Sequence, residues 1–471
     1  MNAEVTKITS RRAQPNAEHP DFLSPAERRA RGKELRDSVS RRSQGEWKWP
    51  KNRRDPIDIL IESNLGRQEQ LIPIRFGRMM QSPFAFYRGS AAVMAADLAS
   101  SPVSGIRVQA CGDAHLSNFG GFATPERRVI FDINDFDETL PGPWEWDIKR
   151  LTASFVLAGR HIDLSETDSV RAVIAAVRSY RERMADYAQM RVLEVWYDTI
   201  DVARFLKEME SEETRERVQS RLKKVREKNT PEFLFPKFVE HKGSTPTIAD
   251  DPPLIFHPTA DIAPGIESGY REGFANYRES LPEHVRTLFD RYQFCDLAMK
   301  VVGVGSVGTQ CAIALFMASD DDPIFLQIKE ANASVLEPYV GKSLHASHGE
   351  RVVVGQRLMQ SASDLFLGWG KGASQRDYYV RQLRDMKMSA IVEDFSAADL
   401  RSYARVCGWA LARAHARSGD AAMIAGYMGS SEAFDDAVCE YSVEYADQAE
   451  RDYKVFVRAV REGRIKATIE G

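Results

Sequence analysis

Two short stretches of the chain crowd together polar residues that a hydrophobic core has no use for. CGDAHLSNFGGF, residues 111–122, and VIFDINDFDE, residues 129–138, bring Asp113, His115, Asn118, Asp132, Asp135 and Asp137 into one region of strands and loops. Clustered carboxylates repel and are costly unless a metal ion or a proton offsets them, which favours a functional role for Asp113, Asn118 and Asp135 taken together. Phosphoryl transfer uses such a set. One carboxylate orients and deprotonates the acceptor hydroxyl, while an amide and a second carboxylate hold the magnesium ions that bridge the phosphates. A metal-dependent phosphoesterase would instead spend the acids as ligands of a two-metal centre, although none of the nine histidines lies in a GNH-type segment. A nucleotide-binding module without catalysis would keep the same residues as a switch.

A second set lies well downstream. GVGSVG supplies Gly303, Gly305, Ser306 and Gly308, and Lys329 sits in FLQIKEA. A dinucleotide-binding unit would place a helix straight after the glycines, whereas QCAIALF and DPIFLQIK both read as strands. Arg88, in FYRGS, is open between a packed structural arginine and one that grips a phosphate. His415, Arg417 and Asp420 are read as the charged end of a helix.

The elements around these residues follow from periodicity. Apolar positions at helical spacing run from Pro56 through IDILIESNLGRQEQLIPIRFGRMM and SAAVMAADLA; RVQA, NFGGF and RRVIFDIN then read as short strands, with ATPE as a turn. Long helices return over 147–229, and residues 230–265, rich in Pro, Asp and Thr, form a long connection. From Asp296 strand, glycine turn, strand and a third strand follow, then the helix ERVVVGQRLMQ and two more strands, DLFLGWG and DYYVRQLRDMK. Residues 396–471 are helical, with one helix closing at Gly419. Ser24-Pro25-Ala26-Glu27 reads as a capping box opening a short helix to about Val39.

Composition sets the class. With 471 residues and 43% hydrophobic content the chain can bury a large core. It has no apolar run long enough to span a membrane and no apolar core in its first residues, so neither export nor a membrane partner is expected. Five scattered cysteines, none in a CxxC pair, suggest neither disulfides nor zinc and fit a reducing cytoplasm. Residues 1–54 hold 14 Lys or Arg against 7 Asp or Glu. This basic arm is read as solvated or packed on its own acidic body, and nucleic acid is not the expected partner.

The loop CGDAHLSN resembles the HGDxHxxN catalytic loop of the kinase-like superfamily, particularly its aminoglycoside and choline kinase branch, with Cys111 replacing the leading histidine. The resemblance implies ATP and Mg2+ as cofactors, with Asp113 as catalytic base, His115 bracing the loop, and Asn118 and Asp135 as metal ligands. It further implies that Gly303, Gly305, Ser306 and Gly308 cover the phosphates and that Lys329 pairs them. An acidic helix residue should support that lysine: Glu350, 21 residues after it, is favoured over Glu337, 8 residues after it. The hinge at adenine falls near Met386, Lys387 and Met388. In that branch a helix opens with an aspartate about a dozen residues after the metal aspartate. Asp147 in WEWDIKRLTASF lies 12 residues past Asp135, but the interval from Asn118 suits Asp132, at 14 residues rather than 17, so Asp132 stays a candidate metal ligand.

The order of these parts, with the nucleotide-gripping lobe after the catalytic loop, implies a circularly permuted kinase-like fold. The expected class is α+β and two-lobed: a basic arm over 1–55, a helical lobe with the catalytic loop over 56–290, a small lobe of five antiparallel strands over 291–395, and helices over 396–471 completing the helical lobe. Over roughly residues 70–455 the chain also resembles the bacterial DUF2252 family, through stretches such as IPIRFGRMMQSPFAFYRGSAAVMAADLA, FDINDFDETLPGPWEWDIKRL, GQRLMQSASDLFLGW and LARAHARSGDAAMIAGYMG. The activity implied is transfer of phosphate from ATP to an unidentified hydroxyl-bearing acceptor; nucleotidyl transfer would use the same residues.

Overall fold

A computed structural model describes residues 23–469 apart from 48–51, 229–234, 237, 243–244, 253, 258–265, 302, 306, 373–374 and 384–385. The architecture is mixed α+β with several antiparallel sheets. Its largest core lies where four long helices, Trp144–His161, Glu166–Tyr187, Ala397–Ser418 and Ala433–Arg461, bury their apolar faces on one another. Trp144 stacks on Tyr180 there, with ring centroids 5.7 Å apart and planes 4° from parallel.

The largest sheet is antiparallel, in the order Gly368–Lys371, Asp377–Gln382, Pro323–Glu330, Cys311–Met317, Gln293–Lys300, Ile255–Phe256. It has six strands, not the expected five. The sixth is only two residues long and comes from the proline-rich connection, where a pairing this short leaves no alternation to read. Every residue of the two central strands is buried, which is why they read as continuous apolar runs. The helix His348–Met359, capped by Ser347, lies against the sheet.

A second sheet joins Met388–Ser389, Phe119–Ala123 and Val129–Ile133, and a third pairs Arg107–Ala110 with Leu140–Pro143. The capping box at Ser24 opens the helix Pro25–Glu34, after which the chain tightens into a 3-10 turn at Leu35–Asp37. Among the described residues no helix is long and apolar enough to cross a membrane.

Candidate active site

The helix Trp144–His161 presents three polar side chains to the loop that follows strand Arg107–Ala110. Asp147, Arg150 and Ser154 are spaced i, i+3 and i+7, so they lie on one face. The Asp147 carboxylate accepts the N–H groups of Cys111 (2.5 Å) and Gly112 (2.9 Å), and is 3.1 Å from His415 Nε2. Ser154 Oγ accepts the N–H of Leu116 at 3.0 Å. Between them Arg150 grips Asp113, with Nε and Nη2 2.9 and 2.7 Å from Oδ1, while it donates to Tyr87 O and sits 3.8 Å over the Tyr87 ring. Gly112 is required where it stands: its φ is +83°, and a Cβ there would lie 2.5 Å from Glu138 O.

Asp113 is therefore held by its neighbours rather than merely exposed in a loop. Burial raises its pKa above the usual carboxylate range, against the pull of Arg150 and Arg88. His115 is buried with Nε2 3.8 Å from Asp113 Oδ2. Burial, then Arg88 and Arg150, drive its pKa well down, so the ring is neutral near pH 7. Asn118 Nδ2 donates to Asp113 O at 2.8 Å, which leaves the amide oxygen for other partners.

The second acidic segment meets the central sheet. Lys329, 2% exposed, pairs with Asp137 Oδ2 at 2.7 Å, and Tyr379 Oη donates to Asp137 Oδ1 at 2.6 Å. Burial opposes both charges, yet the pair prevails: Asp135 and Asp137 hold the Lys329 ammonium well above its ordinary range, and Lys329 holds Asp137 below the carboxylate range. Asp135 is raised, by burial first and then by the Asp137 charge. Arg351 fixes the backbone of this segment, donating to Asp137 O (2.8 Å) and Thr139 O (2.7 Å).

Two cavities meet here. One, of about 530 Å³, is lined by Lys329, Gln327, Gln360, Asp364, Arg381 and Lys387 among others; the other, of about 420 Å³, by Asp113, His115, Asn118, Asp137, Glu138 and Arg88 among others. Asp135 and Gly303 line both. The glycine turn that Gly303 belongs to has left-handed backbone at Gly303 (+66°) and Gly308 (+92°). It is tied to the helical body by Gln68 N–H to Gly308 O (2.7 Å), Arg67 to Val307 O (2.6 Å) and Arg78 to Gly303 O (2.5 Å).

Four sequence-based assignments land elsewhere. Asp132 is fully buried in an ion pair with Arg413 Nη2, at 2.6 and 2.5 Å, and accepts the Ser361 N–H at 3.0 Å; it lines neither cavity. Glu350 is not the partner of Lys329: at the start of its helix it accepts the Ala346 N–H at 3.1 Å, and Asp137 takes the lysine. Met386 and Met388 pack with Val129 and Leu222, whereas Lys387 between them lines the larger cavity. Ser306 lies outside the described residues, while Gly303 and Gly305 line the smaller cavity. Arg150, Tyr379 and Arg351 escaped the sequence reading, as did the pairing of Asp137 with Lys329; only the i, i+3 spacing of Asp147 and Arg150 offered a signal.

DUF2252, described as an uncharacterized protein conserved in bacteria, matches residues 67–459. The chain belongs to that family. No curated protein and no solved structure matches it. The match begins at Arg67, which donates to Val307 O of the glycine turn, and takes in the Asp113 loop, the acidic segment and the lysine strand of this DUF2252 chain.

Among the described residues of the DUF2252 chain, no group of three or more His, Cys, Asp or Glu is arranged to hold a metal ion. Asn118 and Asp135 share the smaller cavity, and the Asp135 carboxyl is destabilised as an anion by burial and then by the Asp137 charge, which a cation would offset. Two such ligands suit magnesium, which commonly takes one or two protein oxygens and completes its shell with water and substrate phosphates.

Proposed function

We propose that this DUF2252 protein is a Mg-ATP-dependent phosphotransferase of circularly permuted kinase-like fold, acting on a hydroxyl-bearing acceptor. The observation that carries the reading is the meeting of two cavities at Asp135 and Gly303, one holding the Lys329–Asp137 pair's lysine and the other Asp113. Magnesium-bound ATP would supply the phosphoryl group, with Asn118 and Asp135 holding the metal and Lys329 and the Gly303–Gly308 backbone holding phosphates.

The roles of this chain's own residues follow. Lys329 carries a positive charge in a desolvated place, which Asp137 and Tyr379 keep aligned. Asp113, oriented by Arg150, takes the proton of the acceptor hydroxyl; a raised pKa makes it a better base than an ordinary surface aspartate. Asp147 and Ser154 hold the loop that carries it.

Asp113→Asn tests this. The change keeps shape and removes the base, so ATP turnover should fall by about 10² to 10⁴ while Mg-ATP affinity stays within about twofold. Unchanged turnover, once wild type shows an acceptor-dependent activity, would replace the transferase by a non-catalytic nucleotide-binding module. Loss of bound metal would instead make Asp113 a ligand, as in a phosphoesterase.

A further inference from the structure

The Asp113 cavity is lined by six acids and three arginines, and the acids take their partners from groups other than those arginines. Its acids are already engaged: Asp113 with Arg150, Asp137 with Lys329, Glu330 with Arg376, Glu62 with Arg54, Glu138 with the Val335 N–H at 2.7 Å and Asp135 with the Asp137 N–H at 3.1 Å. Three arginines from the helical segment 67–88 line the same space, and none of them meets a carboxylate at ion-pair distance among the described residues. Arg75 is spent on structure, donating to Asn64 Oδ1 (2.6 Å) and Gly89 O (2.7 Å). Arg67 donates only to the backbone carbonyls of Ser63 and Val307.

Arg88 is the exception that points to a ligand. Its guanidinium makes no hydrogen bond among the described residues, its Nε is buried without a partner, the Phe84 ring lies 5.8 Å away, and Asp113 and Glu393 act on it only through space. Burying a cation without a partner is costly. Burial lowers the pKa of Arg67 and Arg88 alike, so both hold their charge at a disadvantage that an anion would relieve.

We infer that the Asp113 cavity binds an acceptor bearing an anionic group, phosphate or carboxylate, gripped by Arg88 and Arg67. Naming the ligand as the acceptor rests on the phosphotransferase reading; the anion site itself does not. The two cavities divide the cations cleanly. Lys329, Lys300, Lys387 and Arg381 line the larger one, and Arg67, Arg75 and Arg88 the smaller one beside Asp113. A guanidinium fork matches phosphate and carboxylate geometry. A space of about 420 Å³ suits a small molecule carrying one such group and a hydroxyl.

The test is calorimetric titration of the full chain with inorganic phosphate, glycerol 3-phosphate and glycerate, with glycerol as the neutral control and Mg-ATP titrated separately. Wild type should bind at least one anion and not glycerol. Arg88→Gln should weaken that binding by at least about 30-fold, as loss of one partner of a desolvated charge pair does. Arg88→Lys should retain part of it, and Arg67→Gln should weaken it too, while Arg88→Gln leaves Mg-ATP affinity within about twofold. Anion binding without any Mg-ATP binding in wild type would leave the site standing and remove the phosphotransferase. Anion affinity equal in wild type and a folded Arg88→Gln, or absent in wild type, overturns the inference. So does a loss of Mg-ATP affinity in Arg88→Gln, which would give the arginine to the nucleotide.

Discussion

Asp132 and Asp135 are three residues apart in one acidic run, yet their substitutions should fail in opposite ways. Asp132 and Arg413 are both 0% exposed, and Arg413 Nη2 reaches both carboxylate oxygens. Asp132→Asn removes the charge and turns an amide donor toward the guanidinium, leaving a buried cation uncompensated. Breaking such a pair costs about 3–5 kcal/mol. With a urea slope of about 3 kcal/mol per molar, the midpoint should fall by roughly 1–1.7 M. Replacing both partners, as Asp132→Leu with Arg413→Met, should recover most of that loss, because the residual cost is the unpaired charge rather than the missing pair. Asp135→Asn should leave stability within about 1 kcal/mol of wild type, since its charge is opposed by burial and by Asp137, and should lose the magnesium-dependent part of ATP binding. Urea unfolding followed by circular dichroism, with calorimetry on the folded variants, measures both. A stable Asp132→Asn that loses magnesium, or a double variant whose losses simply add, would refute the assignment.

Two further outcomes follow from the same geometry. Asp147→Asn leaves one oxygen to serve two N–H groups, so one donor of the Asp113 loop goes unpaired; amide hydrogen exchange at Cys111 and Gly112 should accelerate and stability fall by about 1–3 kcal/mol, and unchanged exchange would remove Asp147 from that role. Burial pushes Glu138 up to about 7 from its ordinary 4.5. The folded chain then keeps a proton that the unfolded chain releases, so this group's contribution to stability falls as pH rises from about 4.5 to 7, and Glu138→Gln should remove that slope from a series of melts. An identical slope in the variant would contradict it.

What could be read in the sequence was what lies close along the chain. RVQA became the strand Arg107–Ala110, the apolar runs around Lys329 became the fully buried central strands, and Asp113 and Asn118 sit in one loop because only four residues separate them. Partners brought together by folding were not readable. Lys329 meets Asp137 across 192 positions and Asp132 meets Arg413 across 281, and no spacing rule reaches that far. Of the three residues expected near a hinge, Met386 and Met388 pack into the core and Lys387 lines the larger cavity, a division that their order in the chain does not reveal. Arg88 was undecidable in FYRGS because its environment, an aromatic ring and no acid at ion-pair distance among the described residues, is set by the packing around it.

The central claim is that the junction of the two cavities binds magnesium-ATP through Lys329 and Asp135. Calorimetric titration of Mg-ATP into wild type and into a folded Lys329→Ala, Asp135→Ala double variant tests it most directly. Saturable binding to wild type that requires magnesium and is lost or weakened by at least about 100-fold in the variant is the predicted result, two desolvated charge contacts being removed together. Equal affinity for the two proteins, or no binding to wild type, would contradict it.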